Sequence, residues 1–320
     1  MQTDTHPRTW KILLAFAIIY FLWGSNFLAI RIGVHEVPPL IFAAMRFLTA
    51  GLILYGWMIA RGEPSPTRRQ WKSVFLLGLL IFVFDYGLLF WAEQRVPSGI
   101  AAVMMATVPV FMALFEILVL RTHKLTVRLA LALVIGLVGV AVLMSHTFGL
   151  GGPPIATAGA IALILASMSW SFASVITRKL PLPPSKVMSA GAQMLAGGVM
   201  LFVAAAAFGE FRHFHPSTIS SAAWWSLLYL IIAGSLIGFT TYVWLIHHES
   251  PTKVGTYAYV NPVVAVLIGY FLGGEALGLR TILGTLFVLI GVVVITTTRA
   301  SKPQAASPTH DTSALPLDPA

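Results

Sequence analysis

Residues 12–30 read ILLAFAIIYFLWGSNFLAI, a run of nineteen residues without a charged side chain. As a helix rising 1.5 Å per residue, such a run is long enough to cross the hydrocarbon core of a bilayer, about 30 Å thick. Its apolar residues are continuous rather than alternating, which favours a helix over a strand of a membrane barrel. The run lacks a small-residue cleavage site, so we expect a retained first helix rather than a removed signal.

The rest of the chain has the same character. Of its 320 residues, 58% are hydrophobic and 10% are charged. A soluble domain needs a polar shell that this composition does not supply, so we expect lipid as the solvent and backbone groups satisfied within helices. The absence of cysteine excludes disulfides and thiol chemistry. The net charge of +9 does not indicate nucleic acid as a partner, because the basic residues lie in short loops rather than on one element.

The apolar runs predict an all-α polytopic membrane protein of about ten transmembrane helices. The predicted spans are Trp10–Ile30, Leu40–Ala60, Trp71–Trp91, Ser98–Leu120, Val127–Ser145, Ile155–Thr177, Val187–Phe208, Trp224–Ile246, Val254–Leu272 and Leu279–Thr298. Residues 300–320 are rich in Pro, Ser, Ala and Thr, which predicts a disordered cytoplasmic tail.

The basic residues predict the orientation. In the predicted topology, 15 of the 20 Lys and Arg residues lie on the same side of the membrane as the N-terminus. Four lie on the opposite side, and Arg46 lies within a span. Since cytoplasmic loops carry the excess of positive charge, we expect both termini in the cytoplasm of a plasma membrane, which in a bacterium is the inner membrane.

The second half of the chain repeats the first at a nearly fixed spacing. Trp23, Arg31, Leu48 and Gly51 match Trp170, Arg178, Leu195 and Gly198 at an offset of 147, and Trp71 and Pro97 match Trp225 and Pro251 at an offset of 154. Each half holds five spans, so the second is inserted upside down relative to the first. This predicts two inverted five-helix repeats, residues 1–150 and 151–299, joined at Gly149–Pro154, an architecture typical of transporters.

Several motifs resemble the EamA-type ten-helix exporters of the drug/metabolite transporter superfamily. They are Trp23-Gly-Ser-Asn-Phe27, Arg46-Phe47, Trp91-Ala-Glu-Gln-Arg-Val-Pro-Ser-Gly-Ile-Ala-Ala102, Tyr257-Ala-Tyr-Val-Asn-Pro-Val263, Gly273-Gly-Glu275 and Gly291. The family's Gly-Glu motif is present after the ninth span, but the equivalent place after the fourth reads Arg121-Thr-His-Lys124. The resemblance implies a small-metabolite exporter with a central cavity lined by spans 1, 3, 4, 6, 8 and 9.

Ionisable residues within spans are candidate functional residues, because a charge in hydrocarbon must be paired or hydrated. Arg46 and Asp85 are expected about 12 Å and about 9 Å from the same face. Their similar depth and opposite charge predict a pair, either as a structural bridge or as a substrate or proton site. Their repeat equivalents are Gln193 and Phe239, so only one half carries the two charges.

Further candidates are less polar or lie at span ends. Glu93 ends the third span, either as a solvated helix-end carboxylate or as a gate residue. The uncharged and aromatic candidates for a solute site are Trp23, Asn26, Trp170, Gln193, Tyr257, Tyr259 and Asn261. Pro109 and Pro262 occupy matched places in spans 4 and 9 and are candidate hinges, because each removes a backbone donor; the alternative is a packing kink.

These patterns favour a secondary exporter that moves a small amphipathic solute by alternating access. The alternative is an intramembrane enzyme or a non-transporting partner subunit that uses Asp85 and Glu93 as acid and base. We expect no cofactor, no metal site and no enzymatic activity. The expected partners are a small-molecule solute and the lipid bilayer, with a proton and a second copy of the chain as further candidates.

Overall fold

The computed structural model of the protein describes residues 7–96, 98–121, 126–144, 157–264 and 279–297. These residues form ten longer helical regions and two short 3-10 helices, Glu210–His213 and Pro216–Thr218, and no β-strand occurs among them. The regions are α1 (Thr9–Val34), α2 (Pro39–Ala60), α3 (Arg68–Glu93), α4 (Ser98–Met105 with Val108–Leu120), α5 (Val127–Met144), α6 (Thr157–Ile176), α7 (Lys186–Ala207), α8 (Ser221–His248), α9 (Pro251–Val254 with 257–264) and α10 (Leu279–Thr297). The predicted joint at 149–154, the Gly273-Gly-Glu275 motif and the tail at 300–320 lie outside the described residues.

The prediction of an all-α membrane protein is confirmed. Within the described residues, six helices are long and apolar enough to cross a membrane: α1, α2, α3, α6, α7 and α8. Shorter apolar helices lie within α4, α5 and α10. The bundle presents large apolar side chains such as Phe21, Leu52 and Phe202 on its outside, as expected for a protein whose solvent is lipid.

The helix boundaries differ from the predicted ones by a few residues. α3 begins at Arg68 rather than at Trp71, because Thr67 and Gln70 form a capping box. The backbone N–H of Thr67 donates to Gln70 Oε1 at 2.8 Å, and the backbone N–H of Gln70 donates to Thr67 Oγ1 at 3.4 Å. These bonds satisfy backbone donors that would otherwise be unpaired at the start of the helix.

α2 and α7 cross at glycines that are equivalent in the repeat. A Cβ atom placed on Gly51 would lie 2.4 Å from the backbone nitrogen of Leu195, and one on Gly198 would lie 2.5 Å from that of Leu48. At the offset of 147, Gly51 corresponds to Gly198 and Leu48 to Leu195, so the two contacts are one contact made twice. The residue numbers rise along one helix as they fall along the other, so the helices are antiparallel. Equivalent helices that cross antiparallel are what an inverted repeat requires.

α5 and α10 make a second crossing of the same kind. A Cβ atom on Gly139 would lie 2.6 Å from the nitrogen of Val288, and one on Gly291 would lie 2.9 Å from the Cα of Gly136. At an offset of 152, Gly139 corresponds to Gly291 and Gly136 to Val288, so these two contacts are also equivalent in the repeat. The glycines therefore allow close helix packing.

The remaining helices lie between these crossings. α1 packs along α8, and α6 packs along α3. Because the repeat relates α1 to α6 and α3 to α8, these two pairings are equivalent. α3 and α8 each contain a π-helical segment, Gly78–Tyr86 and Leu230–Phe239, which overlap at the offset of 154. Wide turns of this kind are frequent at functional sites.

Two helices of the bundle are interrupted. α4 breaks at residues 106–107, just before Pro109, which lies in the first turn of the second segment. α9 breaks at residues 255–256, whereas Pro262 lies within its second segment. Only Pro109 coincides with a break, and the hinge function of both prolines stays a prediction.

Candidate functional site

A pair of tryptophans occupies the centre of the bundle. The rings of Trp23 on α1 and Trp170 on α6 meet edge to face, with centroids 5.4 Å apart and planes at 79°. Both side chains are buried, and the indole Nε1 of Trp23 donates to the carbonyl oxygen of Gly234 at 3.1 Å. Because the two residues are equivalent in the repeat, their contact lies where the two inverted halves meet.

Three tyrosines surround this pair. Tyr242 lies 5.1 Å from Trp23 and 4.9 Å from Trp170, measured between ring centroids. Tyr257 lies 4.8 Å from Trp23, and Tyr86 lies 5.8 Å from Trp170. Tyr257 is among the residues predicted from the sequence, whereas Tyr86 and Tyr242 are not. A tyrosine in the middle of an apolar span needs a partner for its hydroxyl, and this signal could have identified both.

Beside the tryptophans lies a cavity of about 40 Å³. It is lined by Trp23, Asn26, Phe27, Ile30, Asp85, Tyr86, Leu89, Met105, Trp170, Tyr257 and Asn261. These residues come from α1, α3, α4, α6 and α9, five of the six helices that the family resemblance implies. A volume of this size admits water but no larger solute.

The cavity gathers hydrogen-bond acceptors. Asp85 Oδ1, Asn26 Oδ1 and Asn261 Oδ1 are all buried, and none bonds to another group in the described part of the chain. Buried acceptors without partners are costly unless a ligand, water or proton satisfies them. Together with the aromatic walls, they suit a molecule that has an apolar part and a hydrogen-bond donor.

The predicted ion pair between Arg46 and Asp85 is wrong for this conformation, since no such pair occurs among the described residues. Arg46 is fully buried and donates from Nε to Ser235 Oγ at 2.9 Å. Its guanidinium carbon lies 4.6 Å from the ring centroid of Phe47 and 5.2 Å from that of Tyr86. The sequence indicated the depth of the two charges but not the rotation of α3. That rotation turns Tyr86 toward Arg46 and Asp85 toward the cavity.

Glu93 is buried, so the interpretation of this residue as a solvated helix-end carboxylate is wrong. Its side chain is 1% exposed, and neither carboxylate oxygen bonds to another described group. It does not line the central cavity. The structure thus leaves a gate function as the remaining prediction for Glu93.

Two other predicted site residues lie away from the cavity. Gln193 donates from Nε2 to Ser189 Oγ of its own helix at 2.9 Å. The hydroxyl of Tyr259 donates to the carbonyl oxygen of Leu133 on α5 at 3.0 Å, and its ring packs against Gly136. Neither contact involves the cavity: Tyr259 joins α9 to α5, whereas Gln193 bonds within α7.

An arginine bonds to a loop of its own half at each end of the bundle. We call the end at which α1 begins the terminal face and the opposite end the far face. At the far face, Arg31 Nη1 donates to the carbonyl oxygen of Val96 at 3.3 Å. At the terminal face, the repeat equivalent of Arg31, Arg178, donates from Nη1 to the carbonyl oxygen of Glu249 at 3.0 Å. Both contacts are formed, which is consistent with a closed cavity.

Two carboxylates add to the contacts at the far face. Glu36 accepts hydrogen bonds from the backbone N–H and the hydroxyl of Ser220 at 2.6 and 2.7 Å, and these bonds lower its pKa. Glu210 accepts from the backbone N–H groups of Leu40 and Ile41 at 3.2 and 2.9 Å. Its pKa is nevertheless raised, because partial burial outweighs the two bonds. Each carboxylate caps a helix of the other half, α8 or α2.

Comparison with known proteins agrees with the architecture. The model of the EamA-like transporter family matches the chain twice, over residues 9–145 and 157–297. The uncharacterized inner membrane transporter YedA of Escherichia coli strain K12 is 40% identical over 284 residues, covering 88% of this chain and 89% of that protein. The uncharacterized transporter YoaV of Bacillus subtilis strain 168 is 26% identical over 295 residues, covering 90% and 97%. Protein PecM of Dickeya dadantii strain 3937 is 26% identical over 276 residues, covering 86% and 88%.

A solved structure described as "Crystal structure of protein" has the same fold. Its TM-score is 0.71 at 22% sequence identity, and the match covers 91% of this chain and 98% of that chain. At this identity the likeness concerns the fold alone.

Proposed function

Since the chain belongs to the EamA-like transporter family, we propose that it is a secondary active transporter that exports a small amphipathic solute by alternating access. It is a multi-pass membrane protein, and the relatives YedA and YoaV are named as transporters. We propose accordingly that it catalyses no chemical reaction.

The central cavity is the observation that carries the proposal. It lies where Trp23 and Trp170, equivalent residues of the two inverted halves, touch each other. In alternating access, one binding site must be reached from each side of the membrane in turn. A site at the meeting point of inverted halves meets this requirement, because exchanging their conformations exchanges the open side.

The lining supports an amphipathic solute. The walls are aromatic, and the acceptors of Asp85, Asn26 and Asn261 face the same small space. Typical binding pockets measure about 300–1,000 Å³, far more than this cavity. The site must therefore widen to bind the solute, and the breaks in α4 and α9 lie beside it.

The two arginine contacts are the proposed gates. Arg31 bonds the end of α1 to the loop between α3 and α4, and Arg178 bonds the end of α6 to the loop between α8 and α9. Releasing one contact while keeping the other would open one face only. Glu93 lies three residues before Val96, the partner of Arg31, and belongs to the far-face gate in this scheme.

We further propose a proton as the coupled ion, with Asp85 as its carrier. Export against a gradient needs an energy source, and a family of secondary transporters draws it from an ion gradient. Asp85 is buried in the wall of the cavity, where its Oδ1 has no partner among the described residues. A proton entering from the far face would neutralise this carboxylate before the solute leaves, linking proton entry to solute exit.

The orientation proposed here places both termini in the cytoplasm and the terminal face inside. It rests on the excess of Lys and Arg in the terminal-face loops. Location in the bacterial inner membrane is proposed from the name of YedA. We also propose that the protein assembles as a homodimer.

Flux in proteoliposomes that contain only this protein tests the proposal. We expect a solute that raises the melting temperature of the purified protein to be moved across the membrane and concentrated when a pH gradient is imposed. Binding without flux, in vesicles shown to be sealed, would contradict transport. Flux that never exceeds equilibration would contradict active coupling.

A further inference from the structure

A second and much larger cavity lies at the terminal face, between α1 and the facing ends of α7 and α8. Its volume is about 780 Å³. It is lined by Pro7, Arg8, Trp10, Lys11, Leu14, Ala15, Ile18, Lys186, Val187, Thr240, Thr241, Trp244 and His248. We call it the terminal crevice; it shares no lining residue with the central cavity.

The mouth of the crevice is basic and aromatic. Arg8, Lys11 and Lys186 lie at the starts of α1 and α7, and the described residues of the lining include no acidic side chain. The Nζ of Lys11 lies 5.8 Å from the ring centroid of Trp10, and the Trp244 and His248 rings lie 4.3 Å apart. Basic residues beside tryptophans are characteristic of the membrane–water interface.

Deeper in the crevice the α1 wall becomes apolar, and the α8 wall carries the hydroxyls of Thr240 and Thr241. Along α1 the apolar part of the lining runs from Leu14 to Ile18, about 6 Å at 1.5 Å per residue, below the basic residues of the mouth. Leu14, Ala15 and Ile18 supply the deeper wall on this side, and Val187 lies beside Lys186 at the start of α7. Trp10 is 56% exposed and Leu14 is 52% exposed, so this edge of the crevice faces lipid.

We propose that the terminal crevice binds an anionic phospholipid. Its phosphate lies among Arg8, Lys11 and Lys186, and one acyl chain lies along Leu14, Ala15 and Ile18. Basic pockets between helices at the cytoplasmic face are known to hold anionic headgroups. A soluble anion would use the charges alone, whereas a crevice that is open to lipid and has an apolar wall on α1 below its basic mouth also accommodates the first part of an acyl chain.

Lipid binding to the full-length protein in detergent micelles tests the proposal. Phosphatidylglycerol is the anionic probe, phosphatidylcholine is the zwitterionic probe, and glycerol phosphate is the headgroup without chains. We expect phosphatidylglycerol to bind and to raise the melting temperature, with little effect of the other two. Equal binding of glycerol phosphate would overturn the proposal in favour of a soluble anion. Equal binding of phosphatidylcholine would show that the charges are not recognised.

Variants locate the site. The double substitution Lys11→Gln with Lys186→Gln removes two of the three cations and should weaken phosphatidylglycerol binding by about 30-fold, as expected for two basic groups near an anionic headgroup. The matched control is Arg68→Gln with Arg69→Gln, which removes two exposed charges from the same face outside the crevice. Equal loss in both variants would show unspecific surface attraction and overturn the proposal. Both variants should keep the fold, which circular dichroism checks independently.

Discussion

Trp23 and Trp170 stand 147 residues apart in the sequence and 5.4 Å apart in the structure, edge to face at the centre of the bundle. The same offset relates Gly51 to Gly198, whose helices cross antiparallel. The two tryptophans therefore lie where the inverted halves meet, and the cavity beside them belongs to both halves.

Two buried carboxylates on α3 allow a controlled test of coupling. Asp85 lines the cavity and Glu93 does not, although each is 1% exposed. We expect Asp85→Asn to abolish solute accumulation driven by a pH gradient while sparing exchange down the solute's own gradient. Glu93→Gln, which alters the proposed far-face gate but removes no group from the cavity, should change the rate of transport and still allow accumulation driven by the pH gradient. Uphill transport by the Asp85→Asn protein in proteoliposomes would exclude Asp85 as the proton carrier.

A pair of glycines on α2 tests the helix crossing. Gly51→Ala places a Cβ atom 2.4 Å from the nitrogen of Leu195, whereas a Cβ atom on Gly56 meets nothing within 4 Å. We expect Gly51→Ala to lower the free energy of unfolding by about 1–3 kcal/mol, because the backbones must separate. Gly56→Ala should be neutral or stabilising by up to about 1 kcal/mol, because alanine favours helix. Equal melting temperatures of the two variants in detergent would contradict the tight crossing.

Substitutions of the two gate arginines should change access to the central cavity from the far face in opposite directions. Arg31→Ala removes the far-face contact and Arg178→Ala the terminal-face contact, each worth about 1 kcal/mol or roughly a fivefold shift in population. The probe is Met105→Cys, a cavity position in a chain without cysteine, labelled by an impermeant thiol reagent from the far face. We expect faster labelling with Arg31→Ala and slower labelling with Arg178→Ala.

Arg95→Ala is the control for this experiment. Arg95 lies at the far face, just after the end of α3. Its Nη1 donates to the carbonyl oxygen of Trp91 in that helix at 2.8 Å, and this contact does not connect two helices. Its substitution should leave the labelling rate unchanged. Labelling that changes in the same direction for Arg31→Ala and Arg178→Ala would contradict a pair of opposed gates.

The contact between Glu36 and Ser220 should depend on pH. Hydrogen bonds lower the pKa of Glu36 in the folded protein below its ordinary value of 4.5. Its contribution to stability is thus present above pH 4.5 and is lost as the pH falls through the folded pKa. We expect Glu36→Gln to lower the melting temperature at pH 7 and to match the parent protein near pH 3. A constant difference across this range would contradict the assignment, and Glu63→Gln, at an exposed loop position, is the control.

Orientation can be tested with single cysteines. Lys253→Cys lies at the terminal face, and Thr218→Cys lies in the exposed loop between α7 and α8 at the far face. If the termini are cytoplasmic, an impermeant reagent applied to intact cells should label position 218 and spare position 253 until the cells are lysed. The reverse pattern would invert the proposed orientation.

The architecture was accessible from the sequence because it depends on signals of low resolution. Runs of apolar residues predict spans whatever their detailed packing, and Trp23 with Trp170 marks the repeat by identity alone. Six of the predicted site residues do line the cavity: Trp23, Asn26, Asp85, Trp170, Tyr257 and Asn261.

The rest of the site depended on helix rotation, which residue spacing does not reveal in an apolar span. Arg46 and Asp85 have suitable depths, yet the π-helical segment Gly78–Tyr86 sets which residue of α3 faces Arg46, and that residue is Tyr86. Tyr259 reads like Tyr257, two residues earlier, but the two side chains point to different neighbours. Hydrophobic periodicity could not separate them, because both sides of α9 are buried.

The α2–α7 crossing has the property of an isologous dimer interface, in which every contact occurs twice. In two identical subunits, any change at the shared centre must appear in both copies at once. A single fused chain removes that obligation, so one half can differ from the other at one position. The repeat equivalent of Asp85 is Phe239, so the second half carries an aromatic ring where the first half carries a carboxylate. The described lining of the cavity therefore holds one carboxylate, and the repulsion between two like charges at equivalent positions does not arise.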